Sequence, residues 1–338
     1  MTRKTALLIL AIIVVVILLP AAAVSFGGCP GFPPPAKAEP PPSTKETVEK
    51  KFSGTVRLYR TDRKEIVPLD LEQYLVGVIL AEMPASFELE ALKAQAVIAR
   101  TYALHQHPFS GGGGCDRAPG GADICSDSAH CQAWLDPEET AAEWGPEGEL
   151  FLKRIRQAIS ETAGEVAVYR GKLIEAVYHS TCGGKTEASH ALWNGGSLPY
   201  LQSVICPYCT HSPHYRGELL IPFTRLAEAL PQDPALPVAS AERLPLEKIT
   251  ETSGGRIAAL TIAGRSIGGA ELRSLLELPS TAFTWELREE GLLFHTRGRG
   301  HGVGLCQYGA DGAAREGQGY RQIIQFYYPG TAITEIKP

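Results

Sequence analysis

An uninterrupted apolar run near the N-terminus constrains this chain more than any other feature. Arg3 and Lys4 precede residues 6–24, and no charged residue follows until Lys37. A membrane-spanning helix needs about 17 to 25 such residues, whereas the apolar core of a cleaved signal peptide has about 7 to 15. We predict one N-terminal transmembrane anchor over residues 1–26, and the positive charges before it predict that the rest of the chain lies outside the cytoplasm. A cleaved signal peptide is the alternative, since Ala21 to Ala23 provide small residues for cleavage.

A proline-rich stretch separates this run from the rest of the chain. Seven prolines fall between Pro30 and Pro42. Such a segment cannot bury a core and forms an extended polyproline tether. We predict a linker over residues 27–51 and a folded domain over residues 52–338. The net charge of −5 gives no electrostatic support for a nucleic-acid partner.

The pattern of the folded part predicts an α+β protein with mixed helices and antiparallel strands. Residues 52–67 alternate like a strand pair, and the apolar residues between Leu71 and Glu82 share one helical face after a capping Asp70. A second helix is predicted from Ser86 to about His105. Further on, a hairpin is predicted over 166–178, strands over 284–294 and then a terminal helix. Residues about 218–280 differ in character, and we predict that they form a small accessory lobe inserted into a catalytic core.

Glu82 stands out because it is a carboxyl group on the apolar face of the first helix. Burial disfavours its charged form, and the negative end of the helix dipole acts in the same direction, so both raise its pKa toward the range of a general acid. The alternative is a buried glutamate satisfied by an arginine or a backbone amide, and periodicity alone does not separate the two. Arg100, on the second helix, is a candidate structural partner or substrate clamp.

Residues 106–150 are irregular and glycine-rich and contain four soft or borderline metal ligands, Cys115, Cys125, His130 and Cys131. Four is the number that a closed tetrahedral zinc site needs. Because this loop has little hydrophobic pattern, a bound ion would replace a core. We predict structural zinc here, and the alternative is a disulfide with a spare thiol, which an extracytoplasmic location permits.

Cys206 and Cys209 form a Cys-x-x-Cys pair, which is the spacing of redox dithiols. That role needs the start of a helix, and Pro213 prevents helix across the following turn. A local disulfide, paired free thiols or a second metal site with His211 and His214 remain as interpretations.

Glycines surround His301 in the segment Gly300-His-Gly-Val-Gly304. The segment lacks the Lys-Ser/Thr ending of a phosphate-binding loop. Its glycines allow a substrate or another backbone to come close. His301 has no bulky neighbour in sequence to bury it, so we predict a role in a site.

Four blocks, read together, resemble the stage II sporulation protein D family. They are Tyr74-Leu-Val-Gly-Val-Ile-Leu-Ala-Glu82-Met-Pro, Ala91-Leu-Lys-Ala-Gln-Ala-Val-Ile-Ala-Arg100-Thr-Tyr, His179-Ser-Thr-Cys-Gly-Gly-Lys-Thr-Glu187 and Gly300-His-Gly-Val-Gly-Leu-Cys-Gln-Tyr308. The blocks occur in the family's order and cover most of the chain beyond the linker. A single N-terminal membrane helix also fits this family.

The resemblance implies a peptidoglycan lytic transglycosylase of endospore-forming bacteria. Such an enzyme cleaves the bond between N-acetylmuramic acid and N-acetylglucosamine during spore engulfment, leaving 1,6-anhydro-muramic ends. Its substrate is glycan that a partner amidase has stripped of peptides. The implied location is the cell membrane, with the C-terminal domain in the space between the mother-cell and forespore membranes, and the implied partners are an amidase and membrane proteins of the engulfment complex.

The resemblance also implies roles for individual residues. Glu82 corresponds to the catalytic acid, and Arg100 to a residue that supports the substrate or the acid. Some relatives hold zinc in the loop after the second helix, with spacing similar to Cys125, His130 and Cys131; here Cys115 is the candidate fourth ligand. The remaining blocks imply a glycan groove lined by Tyr178, His179, Ser180, Lys185, Glu187, His301, Gln307 and Tyr308.

A single carboxyl group fits a lytic transglycosylase better than a hydrolase, because ordinary glycosidases use two. The main alternative is a non-catalytic wall-binding module that recruits or stimulates an amidase, as related amidase enhancers are thought to do. Zinc-dependent hydrolysis is a third interpretation. It requires an open coordination position, and four candidate ligands argue against one.

Overall fold

A strand hairpin leads directly into the helix that ends at Glu82. The computed structural model describes residues 54–118, 120–193, 196–229, 246–262 and 265–336. Strands β1 (Thr55–Arg60) and β2 (Glu65–Asp70) pair antiparallel, and helix α1 (Leu71–Glu82) follows at once. The Asp70 side chain accepts hydrogen bonds from the amides of Glu72 and Gln73, which satisfies free amides of the first turn.

Helix α2 (Leu89–Gln106) lies at the centre of the main hydrophobic core. Its buried face is rich in alanine, and these small side chains let α1 and three further helices pack against it. The predicted start at Ser86 is three residues early. Glu88 is the N-cap residue, and its amide donates to Asp311 Oδ1 at 2.8 Å.

The remaining helices and strands follow in chain order. The helices are α3 (Pro137–Trp144), α4 (Pro146–Ser160), α5 (Phe223–Ala229), α6 (Gly269–Leu276), α7 (Gln307–Arg315) and α8 (Tyr320–Tyr327). The strands are β3 (Ile124–Cys125), β4 (Glu165–Tyr169), β5 (Lys172–Leu173), β6 (Tyr178–His179), β7 (Arg216–Pro222), β8 (Leu246–Glu251), β9 (Ile257–Ile262), β10 (Arg265–Gly268), β11 (Phe283–Leu287), β12 (Gly291–Arg297), β13 (Leu305–Cys306) and β14 (Ala332–Glu335).

Small sheets, mostly antiparallel, surround the helices in the described part of the chain. Their strand orders are β2-β1-β3, β10-β9-β8, β11-β12-β7 and β14-β4-β5. The fifth sheet consists of β6 and β13, which run parallel, with Tyr178 opposite Leu305 and His179 opposite Cys306. This pairing joins two of the sequence blocks into one structure. The predicted α+β fold is confirmed, with two short parallel pairs, β1 with β3 and β6 with β13, added to the antiparallel ones.

A second hydrophobic cluster forms between Ile221 and Phe294, separate from the main core. Residues from β7, α5, β9, α6 and the β11–β12 hairpin contribute to it. The accessory lobe that we predict at about 218–280 overlaps this segment, whose strands and helices run from Arg216 to Arg297.

The predicted anchor and linker, residues 1–51, lie outside the described residues. None of the helices within the described ranges is long and apolar enough to cross a membrane.

Candidate active site

Glu82 is the last residue of α1 and is half-buried. The helix ends there because Pro84 follows, and the cap residue Met83 is extended. Burial raises the pKa of the Glu82 carboxyl above its ordinary value. The causes of this shift include no charged neighbour among the described residues, so a second carboxylate does not act on Glu82.

Two hydrogen bonds orient the Glu82 carboxyl. The Ala133 amide donates to Oε1 at 2.7 Å, and the Tyr178 hydroxyl bonds the same carboxyl group. Both contacts stabilise the carboxylate and so act against burial, lowering the pKa. Burial therefore favours the protonated form of Glu82, and the two hydrogen-bond donors stabilise its charged form. A group that acts first as an acid and then as a base needs both effects.

A chain of buried side chains fixes the Tyr178 hydroxyl. The Tyr74 hydroxyl donates to Gln132 Oε1 at 3.0 Å, and Gln132 Nε2 donates to the Tyr178 oxygen at 2.9 Å. Because the amide nitrogen can only donate, the Tyr178 hydroxyl keeps its own hydrogen for Glu82. One hydrogen-bond network thus runs from Tyr74 on α1 through Gln132 to Tyr178 on β6, and from there back to Glu82 on α1.

Gly77 allows the segment that carries Gln132 and Ala133 to lie against α1. A Cβ atom at Gly77 would lie 2.2 Å from Trp134 Nε1 and 2.5 Å from the Leu135 carbonyl oxygen. The Leu135 amide donates to the Gly77 carbonyl at 3.2 Å. A side chain at position 77 would therefore push this segment away from the helix, and the Ala133 amide with it.

Cys115, Cys125, His130 and Cys131 converge immediately before Gln132, and we call them the first thiol cluster. Their ligand atoms all lie within 4.8 Å of one another. The three sulfurs lie 3.5, 3.4 and 3.2 Å from His130 Nδ1. Tetrahedral zinc, with bonds of about 2.3 Å to sulfur and about 2.0 Å to nitrogen, separates its ligand atoms by roughly 3.5 Å. His130 Nε2 lies 2.9 Å from Asp116 Oδ1, which is the outer carboxylate contact typical of metal-bound histidines. The donor set and spacing therefore fit zinc.

His179 and His301 lie beside Tyr178 as a neutral pair. Their ring centroids are 5.6 Å apart, and His301 Nε2 donates to the Tyr178 carbonyl at 2.7 Å. Burial lowers the pKa of His301 to about 4 and that of His179 well below its ordinary value. His179 Nδ1 contacts the Val303 carbonyl at 3.0 Å, whereas its Nε2 is buried and has no partner among the described residues.

Trp193 is a surface aromatic residue that the sequence analysis missed. Its ring lies 5.5 Å from His301, and 39% of the residue is exposed. A large apolar ring at the edge of a polar site is a suitable surface for the apolar face of a sugar. Nothing in the local sequence pattern marks this tryptophan, because its value depends on contact with His301, more than a hundred residues away.

Lys185 and Glu187 contact the turn between β8 and β9 instead of a groove. Lys185 Nζ donates to the Ser253 carbonyl at 2.6 Å. The fully buried Glu187 accepts from Thr252 Oγ1 and from the Gly254 amide at 3.2 Å. Both side chains contact the lobe in this geometry, and their role in binding glycan stays a prediction.

Arg100 is also engaged elsewhere. It is fully buried and forms a bidentate pair with Glu72, with Nε 2.8 Å from Oε1, while Nη1 donates to the Glu165 carbonyl at 3.0 Å. Glu72 lies near the start of α1, ten residues before Glu82, which the helical rise converts to about 15 Å. Arg100 and Glu72 line a cavity of about 400 Å³ at that end of the helix. Arg100 thus pairs with Glu72 instead of serving as the structural partner of Glu82, and its support of substrate or acid stays a prediction.

The other predicted groove residues differ in accessibility. Gln307 is buried, with Nε2 3.4 Å from Gln95 Oε1 in the core, and its contact with glycan stays a prediction. Tyr308 is half-buried between Phe87 and His211, with ring centroids 4.9 and 5.5 Å away, and its amide donates to the Ser180 carbonyl at 3.1 Å. Ser180 is half-buried beside Thr181.

Cys206 and Cys209 meet Cys182 and Cys306, and we call these four residues the second thiol cluster. All four are buried, and their sulfurs lie within 4.8 Å of one another. The sequence analysis considered His211 and His214 as partners of the Cys-x-x-Cys pair. His211 Nε2 instead contacts Asp311 Oδ2 at 3.0 Å, and neither histidine belongs to the cluster.

Comparison with known proteins identifies relatives of this chain. A family model described as stage II sporulation protein matches residues 59–169. Stage II sporulation protein D of Bacillus subtilis (strain 168) is 36% identical over 282 residues, which are 83% of this chain and 79% of the relative. The protein of the same name from Bacillus amyloliquefaciens is 33% identical over 291 residues, 86% of this chain and 81% of the relative.

The fold and the site define a class of α+β proteins built around a helix pair, with a half-buried glutamate at the end of the first helix. The chain belongs to the stage II sporulation protein D family, a family of sporulation proteins, which confirms the resemblance. An amidase enhancer of Bacillus subtilis (strain 168) is a more distant relative, 29% identical over 313 residues, covering 77% of this chain and 40% of the enhancer.

Proposed function

We propose that this protein is a lytic transglycosylase that cleaves the N-acetylmuramic acid to N-acetylglucosamine bond of peptide-free glycan during sporulation. The observation that carries the proposal is Glu82. It is one buried carboxyl group with a raised pKa, held by two hydrogen-bond donors, and no charged neighbour among the described residues contributes to its pKa shift. A glycosidase that uses water needs a second carboxylate across the bond, whereas a lytic transglycosylase needs only one.

In the proposed reaction Glu82 acts first as an acid and then as a base. The protonated carboxyl gives its proton to the glycosidic oxygen as the bond to the anomeric carbon of muramic acid breaks. The resulting carboxylate takes the proton of the muramic 6-hydroxyl, whose oxygen bonds to that carbon. One bond is broken, one is formed, and the proton is returned, so no water is consumed. The Ala133 amide and the Tyr178 hydroxyl stabilise the carboxylate between the two steps.

The groove that we propose for the glycan passes Tyr178, His179 and His301, with Trp193 at its edge. His301 is neutral at physiological pH because its pKa is about 4, so it contributes shape and hydrogen bonds instead of charge. Trp193 offers its exposed ring to a sugar face. Ser180 and Tyr308, both half-buried, are the further predicted residues that we retain as groove residues.

We propose that the first thiol cluster binds structural zinc. Four protein ligands close a tetrahedral ion and leave no position for water, which argues against zinc-dependent hydrolysis. The ion would hold Cys131 one residue before Gln132 and two before Ala133, the residues that orient Glu82. Zinc would thus support the acid through the backbone, without contact with substrate.

The proposed setting is the cell membrane, with this domain in the space between the mother-cell and forespore membranes. The apolar run over residues 6–24 and the proline-rich linker support it. An amidase that strips the peptides must act first, and the engulfment complex supplies membrane partners. The name of the more distant relative, an amidase enhancer, supports a link to an amidase.

Replacing Glu82 tests the reaction directly. Full-length protein digesting peptide-free glycan should release fragments with 1,6-anhydro-muramic ends, detected by mass spectrometry. Glu82→Gln keeps the shape but cannot transfer the proton, and we expect a loss of product of at least about 100-fold. Glu143→Gln, which changes an exposed carboxyl on α3, is the matched control and should keep full activity. Fragments with reducing ends that incorporate water would identify a hydrolase instead.

The alternative function is stimulation of an amidase without catalysis, which the amidase enhancer relative favours. On that hypothesis Glu82→Gln would increase amidase turnover as well as the wild-type protein does, and no anhydro product would form in either case. Measuring peptide release by an added amidase and anhydro ends in the same reaction separates the two functions.

A further inference from the structure

We infer that the second thiol cluster is a separate zinc site in which Cys182, Cys206, Cys209 and Cys306 are the four ligands. The ligands come from three segments: the loop after β6, the Cys-x-x-Cys turn, and the residue before α7. A Cys-x-x-Cys pair that meets two further cysteines is the usual ligand pattern of structural zinc.

The positions of the sulfurs fit a single ion. All four lie within 4.8 Å of one another, and Cys182 Sγ is 3.4 Å from Cys209 Sγ. Tetrahedral zinc with bonds of about 2.3 Å separates its sulfurs by roughly 3.8 Å. Two disulfides would join the sulfurs pairwise, whereas here every sulfur is near the other three. No space is left for water, since the four residues are at most 2% exposed.

Backbone amides point at the sulfurs, as they do in thiolate sites. Cys306 Sγ accepts from the Cys182 amide at 3.2 Å and from the Gly309 amide at 3.3 Å. The second of these amides belongs to the first turn of α7, where the positive end of the helix dipole favours a thiolate. The Gly184 amide bonds Cys209 in the same way.

A buried cation lies next to the cluster. Zinc with four thiolates carries a charge of −2, which needs compensation in a buried place. Arg256, 1% exposed, donates through Nη2 to the Cys182 carbonyl at 3.2 Å and through Nη1 to Ser280 Oγ at 2.9 Å. Its Nε has no partner among the described residues, and its charge interacts with the buried Glu187 carboxylate as well as with Cys182 and Cys306.

Zinc bound by the second thiol cluster would hold β6 and β13 in place at the base of the proposed glycan groove. Cys306 is the last residue of β13 and lies opposite His179, and Cys182 follows β6, which carries Tyr178 and His179. On binding, the four thiols lose their protons and the ion gains four bonds, with no oxidant or reductant needed. This inference does not depend on the reaction proposed above, because it concerns ligands that do not touch Glu82.

Peptide-level alkylation of full-length protein in detergent tests the site. The protein is treated with iodoacetamide before and after zinc removal by a chelator, without reductant. We expect Cys182, Cys206, Cys209 and Cys306 to be protected before chelation and alkylated after it, and native mass spectrometry to detect zinc. Cysteines that stay unmodified until a reductant is added would reveal disulfides and overturn the inference. Bound iron with labile sulfide would also overturn it.

Two variants test which cysteines bind each zinc ion. Cys209→Ser should lose one zinc per chain while the first thiol cluster keeps its own, and Cys125→Ser should show the reverse. Thr210→Ala, an exposed neighbour of Cys209, is the control and should keep the wild-type zinc content. An unchanged zinc content in Cys209→Ser would contradict the inference. If that variant does not fold, the alkylation pattern of the wild-type chain still tests the zinc site.

Discussion

At the scale of single residues, Glu82 is balanced between two opposing effects. Burial raises its pKa, while the Ala133 amide and the Tyr178 hydroxyl lower it. An acid that must accept a proton back within one reaction needs this balance, because either effect alone would favour only one of its two forms. Tyr178 is therefore a positioning and tuning residue for the acid.

Tyr178→Phe removes one of the two donors. The hydrogen bond stabilises the carboxylate, so its loss raises the pKa of Glu82 further, and the protonated form persists to higher pH. We expect the basic limb of the pH profile of kcat/KM to move to higher pH and kcat to fall about 10-fold or more, since the carboxylate formed in the reaction is less stabilised.

The measurement is the pH profile of anhydro-product formation by wild type and variant. Tyr59→Phe is a control outside the network. An unshifted basic limb in Tyr178→Phe would show that Tyr178 does not tune Glu82, and a role in substrate binding alone would appear as a change in KM.

The site residues that sequence could supply are those whose local pattern carries the signal. Glu82 on an apolar helix face and the Cys115 to Cys131 spacing are of this kind. The network residue Gln132 and the groove-edge residue Trp193 were missed because their roles arise from contacts between distant segments. Cys182 and Cys306 lie inside two of the sequence blocks, and nothing local indicates that they meet the Cys-x-x-Cys pair.

At the scale of elements, the close contact between α1 and residues 132–135 decides where Ala133 lies. Gly77 permits the contact, and the Leu135 amide fixes it by bonding the Gly77 carbonyl. Glycine in a helix interior normally costs stability, about 1 kcal/mol relative to alanine. Glycine is found at position 77 because residues 132–135 pack so closely against the helix there that a side chain would not fit.

Gly77→Ala should therefore destabilise the fold although alanine is the better helix former. The added Cβ would meet Trp134 and the Leu135 carbonyl, and such overpacking costs about 1–3 kcal/mol. We expect a lower Tm and a loss of activity larger than the loss of folded protein, because the Ala133 amide moves away from Glu82.

Thermal unfolding followed by circular dichroism, with activity measured well below Tm, tests this prediction. Gly113→Ala is the matched control, since a Cβ there meets nothing within 4 Å. A Gly77→Ala protein as stable and active as that control would contradict the proposed contact.

The sequence predicts those helices and strands whose hydrophobic pattern is local and extends over many residues. The helix pair, the β1–β2 hairpin and the strands and helix between Ile257 and Leu276 follow from periodicity. Helix α3 was missed because it is short and lies in the glycine-rich region. The parallel pair β6–β13 was also missed, because two-residue strands have no period of their own.

At the scale of the whole molecule, the second hydrophobic cluster is joined to the main core through the turn around Ser253. Glu187 is buried and accepts hydrogen bonds from Thr252, Ser253 and Gly254. Lys185 adds an exposed contact with the Ser253 carbonyl. These contacts give Lys185 and Glu187 a structural role at this junction.

Glu187→Ala should loosen this junction. Its loss leaves buried donors without an acceptor, and we expect a destabilisation of about 3 kcal/mol. Lys185→Ala removes only an exposed contact and should cost less than about 1 kcal/mol. Denaturant unfolding measures both, and limited proteolysis should cleave near Ser253 faster in Glu187→Ala. A raised KM with unchanged stability in Glu187→Ala would support the role in substrate binding.

The spread of the second thiol cluster along the chain has a consequence for biosynthesis. Glu82, Ala133 and Tyr178 are all synthesised before Cys182, but the last ligand, Cys306, lies 124 positions after Cys182. The helix pair forms from nearby contacts and is fast to fold, whereas the base of the groove closes only near the end of synthesis. A chain interrupted before Cys306 would therefore carry Glu82, the proposed acid, without the complete groove that we propose for the glycan.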